Sequence, residues 1–185
     1  MRWLIGLVVV LALAGIMVVG FNKLRRLDIR AQEALGGIDV QLTRRADLIP
    51  NLVATVKGYA SHESSVLEEV TAARTAVTAA AKSGSVADRV TAEAALDRSL
   101  VNVLAVAEAY PDLKASANFV ALQQELGETE DQVAFARQYY NDAVASLNTV
   151  VATFPWMLFA PMAAVHTRDF YAAPDAHQAP PQVAF

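Results

Sequence analysis

The chain begins with an uncharged apolar run, and apolar residues then recur every three or four positions along most of its length. No charged side chain occurs in residues 3–21. As a helix, this stretch would be roughly 28 Å long at about 1.5 Å per residue, close to the thickness of a bilayer's hydrocarbon core. The run predicts a transmembrane anchor over residues 1–21.

A cleaved signal peptide is the alternative interpretation of the same run. Ala12-Leu13-Ala14 has the small-x-small pattern that signal peptidase accepts. However, the apolar run continues beyond this site to Val19, and Arg2 is the only charged side chain before it. An uncleaved anchor is therefore favoured.

The charges that flank the run predict the orientation of the anchor. Only Arg2 and the α-amino group precede the run. Four basic residues follow it closely: Lys23, Arg25, Arg26 and Arg30. Because cytoplasmic flanks are enriched in Lys and Arg, we expect a short exterior N-terminus. The main domain would then lie in the cytoplasm, at a bacterial inner membrane.

Apolar spacing and proline positions predict four helices after the anchor, over residues 24–45, 50–82, 86–109 and 116–151. A break is expected at residues 46–49, where Asp47 can cap a new helix and Pro50 can occupy its first turn. The last helix has the strictest heptad-like spacing: Phe119, Leu122, Leu126, Thr129, Val133, Ala136, Tyr140, Ala143, Leu147 and Val150. The second helix places Glu63 on its apolar seam, among positions where burial is expected.

These elements predict an all-α protein in which the transmembrane helix precedes an antiparallel up-and-down four-helix bundle, residues 22–153. The alternative is one long helical hairpin with kinks at Pro50 and Pro111. Residues 154–171 form an apolar, aromatic segment near the membrane end of the bundle. It could pack across the bundle's base or dip into the membrane interface. Residues 172–185, rich in proline, are predicted to be a disordered tail.

Composition narrows the possible functions. With 15 Lys+Arg against 19 Asp+Glu and a net charge of −4, the chain lacks the basic surface that nucleic-acid binding requires. Cysteine is absent, which excludes disulfides, thiol catalysis and Cys-ligated metals. His62-Glu63 lacks the second histidine of a zinc-protease helix, since position 66 is Val66. No nucleophile elbow or phosphate-binding glycine loop occurs. We therefore expect no cofactor, no metal and no enzymatic activity.

The remaining polar candidates are structural or partner-binding residues: Arg44, Arg45, Asp47, His62, Glu63, Arg137 and Asn141. Glu63 could form an internal ion pair that fixes helix register, with Arg74, Arg137 or Lys57 as its partner, or it could contact a ligand. The Arg44, Arg45 and Asp47 group could be a solvated capping corner or a binding site.

Several motifs resemble those of the LemA family. They are RRADLIPNLV at residues 44–53, VKGYASHE at 56–63 and EAYPDLKA at 108–115, followed by single matches such as Tyr140-Asn141-Asp142 and Phe154-Pro155. The resemblance covers residues 21–159. It departs from the family pattern at Phe21-Asn22, where Tyr-Asn is usual, and after Pro155, where this chain is more hydrophobic.

The resemblance implies an N-terminal membrane helix with a short exterior N-terminus and a helical bundle, and it brings no catalytic mechanism. One branch of the family is associated with magnetosome membranes. We therefore expect a membrane-anchored, non-enzymatic interaction or scaffolding module that contacts the bilayer and unidentified protein partners, and that could form homo-oligomers. The alternative is an accessory subunit of a membrane enzyme such as a protease.

Overall fold

The computed structural model describes residues 1–172, and all regular secondary structure within them is helical. The helices are α1 (Arg2–Lys57), α2 (Ser64–Ser83), α3 (Val86–Ala109), α4 (Pro111–Lys114) and α5 (Ala117–Ala152), followed by a 3₁₀ turn at Trp156–Leu158. The predicted all-α class, with a long apolar N-terminal helix before a helical domain, is confirmed. The predicted disordered tail lies outside the described residues, except for Ala172.

The chain divides into two compact units. The first unit contains Met1–Gly36 and Gln138–Phe170. The second contains Gly37–Arg137 and, among the described residues, Tyr171 and Ala172. Helices α1 and α5 each contribute residues to both units.

The N-terminal part of α1 is the one helical stretch within residues 1–172 that is long and apolar enough to cross a membrane. Its side chains point outward, and only 6% of its most apolar window is buried inside the protein. The core helix of a soluble protein would be mostly buried. The exposure therefore agrees with a surface that faces lipid.

The predicted break at residues 46–49 is wrong, because α1 continues through Pro50 to Lys57 and the chain turns at residues 58–63 instead. The buried positions explain this continuity. They keep one spacing of three and four residues on both sides of the proline: Ile38, Leu42, Arg45, Ile49, Leu52 and Val56. A single buried face thus runs along the helix, and a break would have moved half of it out of register.

A hydrogen bond from α2 compensates for the proline inside α1. Pro50 has no backbone N–H, so it cannot donate to the carbonyl of Ala46 one turn earlier. Arg74 supplies the missing donor, because its Nε lies 3.1 Å from the Ala46 carbonyl oxygen. The buried carbonyl is thereby satisfied, and the helix persists through a residue that usually ends one.

The second unit also contains a tight connection between α2 and α3, which pack against each other. Gly84 ends α2 with a φ of 77°, a left-handed conformation that glycine adopts without strain. Ser85 then caps α3, and its side-chain oxygen accepts a hydrogen bond from the Asp88 backbone N–H at 3.2 Å. The bounds predicted for this third helix, residues 86–109, are confirmed.

Helix α5 lies within one residue of its predicted bounds, and most of its predicted inward stripe is buried. The buried members are Phe119, Leu126, Thr129, Val133, Tyr140, Ala143 and Leu147.

In the first unit, α5 also forms hydrogen bonds with the chain that follows it. The Asn148 side chain bonds both the N–H and the carbonyl of Arg168, each at 2.9 Å. The Arg168 guanidinium in turn reaches Asp28 of α1 at 2.7 Å.

The compensation of Pro50 by Arg74 predicts a coupling between the two residues. Arg74→Met should lower the free energy of unfolding by about 1 kcal/mol, because it leaves the Ala46 carbonyl without a donor. In a Pro50→Ala background the new backbone N–H satisfies that carbonyl, so the same substitution should have little effect. Denaturant unfolding of the full chain in detergent micelles measures both effects.

Arg98→Met is the matched control, because Arg98 is an exposed arginine on α3. Its effect should be the same in both backgrounds. An equal loss from Arg74→Met with and without Pro50 would show that the hydrogen bond does not compensate for the proline.

Candidate functional site

The second unit holds a connected set of charged side chains and one tyrosine, which we call the buried charge cluster. It consists of Arg45 from α1, Glu93 and Asp97 from α3, Glu130 and Arg137 from α5, and Tyr171 from the chain after α5. Four of these are largely removed from solvent, with exposed fractions of 0% for Glu93, 2% for Tyr171, 7% for Arg45 and 9% for Arg137. Charges at this depth require partners, and the cluster supplies them.

Glu93 is the most deeply buried member of the cluster, and both of its carboxylate oxygens are hydrogen-bonded. Arg137 Nη2 donates to Glu93 Oε1 at 2.6 Å, and the Tyr171 hydroxyl donates to Glu93 Oε2 at 2.8 Å. Three separate parts of the chain therefore meet at one carboxylate. Short charge-assisted contacts of this kind are stronger than neutral hydrogen bonds.

The cluster continues toward the surface with alternating charge. Arg137 Nη2 also lies 3.4 Å from Glu130 Oε1, and Arg45 Nη1 lies 2.7 Å from Glu130 Oε2. Arg45 Nη1 is in addition 2.6 Å from Asp97 Oδ1. Three carboxylates thus share two guanidiniums, which gives the cluster a net charge of −1 when all five groups are ionised.

The environment shifts the pKa values of the buried members. Burial raises the pKa of Glu93 above its ordinary value of 4.5, against the opposing attraction of Arg137 and the hydrogen bond from Tyr171. Burial and the Glu93 carboxylate together raise the pKa of Tyr171. Burial alone would lower the pKa of Arg137, but its attraction to Glu93 and Glu130 raises it. Arg137 therefore stays protonated, whereas burial disfavours the charged form of Glu93.

A second buried ion pair lies in the same unit. Arg89 is 4% exposed, and its Nε and Nη2 bond the two Asp39 oxygens at 2.6 and 2.8 Å. The same guanidinium bonds the carbonyls of Ala81 and Ser85, each at 3.0 Å. Arg89 thus ties the connection between α2 and α3 to α1.

The buried charge cluster reaches the surface in a groove of about 430 Å³. Arg45, Asp97 and Glu130 form its polar part, and its other lining residues are mostly apolar: Leu100, Val101, Leu104, Gln123, Leu126 and Gly127. The Asp97 and Glu130 side chains are partly exposed there, at 24% and 35%. The groove offers hydrogen-bond acceptors beside apolar surface, an arrangement suited to binding. Within residues 1–172, no three metal-ligating side chains lie close enough together to hold an ion.

Two of the residues selected from the sequence belong to the buried charge cluster, namely Arg45 and Arg137. Arg44 and Asp47 are exposed on α1, and Asn141 is half-buried on α5 in the first unit. The structure therefore separates Arg45 from its two charged neighbours in sequence, which point away from the interior.

His62 and Glu63 lie in the connection between α1 and α2. The helical seam position predicted for Glu63 is wrong, because α2 begins only at Ser64. Glu63 is half-buried and accepts a hydrogen bond from the Tyr110 hydroxyl at 3.3 Å, in place of the pairing expected with Arg74, Arg137 or Lys57. The buried carboxylate expected on a helical seam is instead Glu93 on α3.

The sequence interpretation missed several members of the two buried ion-pair groups: Asp39, Arg89, Glu93, Asp97, Glu130 and Tyr171. A signal for two of them was present in α3. Its buried residues Leu96, Leu100 and Val103 have a spacing of four and three, and the same spacing continued backward reaches Glu93 and then Arg89.

The fold and the cluster can be compared with known proteins. A family profile described as the LemA family matches residues 34–185. The match covers most of the chain, so this protein belongs to the LemA family, as the motifs indicated.

Individual relatives are more distant. The chain is 22% identical over 170 residues to magnetosome protein MamQ 2 of Paramagnetospirillum magneticum, with 80% of this chain and 62% of the relative covered. The same figures apply to MamQ 1 of that organism. MamQ of Magnetospirillum gryphiswaldense is 22% identical over 149 residues, which cover 68% of this chain and 55% of the relative. The chain thus spans less than two thirds of the length of these relatives.

The hydrogen bond from Tyr171 to Glu93 predicts a pH-dependent stability. Tyr171→Phe removes a donor from the ionised carboxylate, so the pKa of Glu93 should rise further above 4.5. An acid with a raised folded-state pKa loses its stabilising contribution as pH rises through that value. The variant should therefore be close to wild type at acidic pH and less stable by about 1–3 kcal/mol at neutral pH.

Unfolding of the full chain in detergent micelles, followed from pH 4.5 upward, checks this dependence. Tyr59→Phe is the control, because Tyr59 is 48% exposed and its hydroxyl can be hydrated. A stability difference between wild type and Tyr171→Phe that is constant with pH would contradict the role given to this hydroxyl.

Proposed function

We propose that this protein is a membrane-anchored, non-enzymatic interaction module whose helical domain binds a protein partner on the cytoplasmic side of a bacterial membrane. The continuous helix α1 carries the proposal. Its first part is an outward-facing apolar stretch long enough to span a bilayer, and its last part enters the interior of the second unit. The anchor and the domain therefore share one helix.

The charged residues on either side of the apolar run support the cytoplasmic orientation. Lys23, Arg25 and Arg26 follow the apolar run, whereas Arg2 precedes it together with the amino terminus. An excess of Lys and Arg marks the cytoplasmic side of single-pass anchors.

The chemistry of the buried charge cluster supports binding in preference to catalysis. Its carboxylates and guanidiniums contact one another at 2.6 to 3.4 Å, so their charges hold the helices together. Glu93, the carboxylate whose pKa burial raises, is fully buried and does not line the groove. A general acid or base would need to reach a substrate.

The groove supports a partner that combines apolar and basic side chains. Val101 is 64% exposed and Leu104 is 38% exposed, and both line its apolar wall. Asp97 and Glu130 outnumber Arg45 in its polar part, which leaves negative charge to complement a basic residue. The relatives named as magnetosome proteins are compatible with a role in assembly, which is proposed here for a chain that spans only part of their length.

Site-specific photocrosslinking in living cells tests this function. A photoreactive amino acid at Val101 should capture one partner of defined mass, because this residue lies in the groove. The matched control is Val40, which is 63% exposed on α1 and does not line the groove. We expect a prominent adduct at Val101 and little at Val40.

The identity of the adduct separates the possible outcomes. A cytoplasmic non-enzyme partner supports the proposal, and an adduct with the mass of two chains indicates homo-oligomerisation through the groove. One stoichiometric membrane enzyme, such as a protease, would favour the accessory-subunit function. A periplasmic partner would contradict the orientation, and equal patterns at Val101 and Val40 would contradict the groove.

A further inference from the structure

The chain that follows α5 packs directly against the end of the apolar run in α1. A Cβ atom at Gly20 would lie 2.8 Å from Phe159 Cδ2 and 3.0 Å from two ring carbons of Trp156. Only glycine therefore permits the two aromatic rings to approach the α1 backbone so closely. Both contacts belong to the first unit.

The position of this contact along α1 sets its depth relative to a membrane. Gly20 lies near the C-terminal end of the uncharged run, and the first charge after it is Lys23. Lys23 Nζ lies 4.9 Å from the centroid of a Trp156 ring. Tryptophan and lysine side chains are typical of the membrane–water interface, where an apolar body and a polar tip are both accommodated.

The residues around this contact, 154–165, are named here the base segment, and they contain no charged side chain. Four of its large apolar side chains point away from the protein: Phe154 is 77% exposed, Met157 49%, Leu158 60% and Met162 59%. Ala160, Ala163 and Val165 are buried on its other side. The exposed face of the base segment is thus apolar.

The backbone of the base segment is largely hydrogen-bonded within itself. The N–H groups of Met157, Phe159 and Ala163 bond carbonyls three or four residues earlier at 2.9 to 3.0 Å. The Val165 N–H likewise bonds the Ala160 carbonyl at 3.0 Å. Internal pairing of this kind lowers the free-energy cost of moving a backbone out of water, which usually excludes irregular chain from lipid.

We propose that the base segment is a second membrane contact, in which Phe154, Met157, Leu158 and Met162 insert into the boundary between headgroups and acyl chains. The inference rests on the proposed anchoring by α1 and extends it. The contact of Trp156 and Phe159 with Gly20 places the base segment beside the point where the anchor leaves the bilayer. The basic residues after the anchor, Lys23 among them, favour an anionic leaflet.

Depth-dependent quenching of an environment-sensitive fluorophore tests the proposal on the full chain. The protein contains no cysteine, so a single Leu158→Cys variant can carry the fluorophore NBD at one exposed position. In vesicles of phosphatidylcholine and phosphatidylglycerol, lipids spin-labelled near the headgroup should reduce its emission about twofold. Met157→Cys provides a second reading on the same face.

Two further positions make the result decisive. Val18→Cys, on the outward-facing apolar run, reports on the anchor, and Phe135→Cys is the control, a 69% exposed apolar residue of the second unit. We expect quenching at residues 18, 157 and 158, and little at 135. Quenching at 18 without quenching at 157 and 158 would overturn the second contact and leave the anchor intact. Absence of quenching at 18 would overturn both, and equal quenching at 135 and 158 would overturn the second contact.

Discussion

The fold of the second unit depends on the burial of one carboxylate. Glu93 has no exposed surface, and an ionised group at that depth is tolerated only when its oxygens find donors. Arg137 and Tyr171 are those donors, at 2.6 and 2.8 Å. Since they come from α5 and from the chain that follows it, the burial of a single group on α3 specifies which parts of the chain must meet. Apolar packing fills the remaining space, but it specifies the register between helices much less strictly.

The need of buried polar groups for hydrogen-bond partners also explains features that helix propensity alone would forbid. Helix α1 continues through Pro50 because Arg74 supplies the donor that the proline lacks. Where α2 connects to α3, Arg89 bonds Asp39 and two backbone carbonyls at once. In each case a polar group that would otherwise be buried without a partner receives one from a distant part of the sequence. Such contacts select one arrangement among the many that heptad-like apolar stripes allow.

Local patterns predicted the elements whose determinants are local. Helix α3 and the stripe of α5 were predicted correctly because apolar spacing and caps lie within each segment. The error at Pro50 arose because the proline's compensation lies on α2, which no window around residue 50 contains. Glu93 was harder still, because its inward position follows only when the spacing of the buried residues of α3 is continued backward. Arg137 was selected from the sequence, but its pairing with Glu93 exists only in the folded chain.

A double-mutant cycle at Glu93 and Arg137 tests this account most directly. Each single substitution to Met should destabilise the full chain by about 3–5 kcal/mol, because it leaves one buried charge without its partner. The double variant should lose less than the sum of the two, by about 2 kcal/mol or more. The loss of the Tyr171 contact is common to Glu93→Met and the double variant, so it cancels in the coupling. Additive losses would contradict the claim that this buried pair organises the fold.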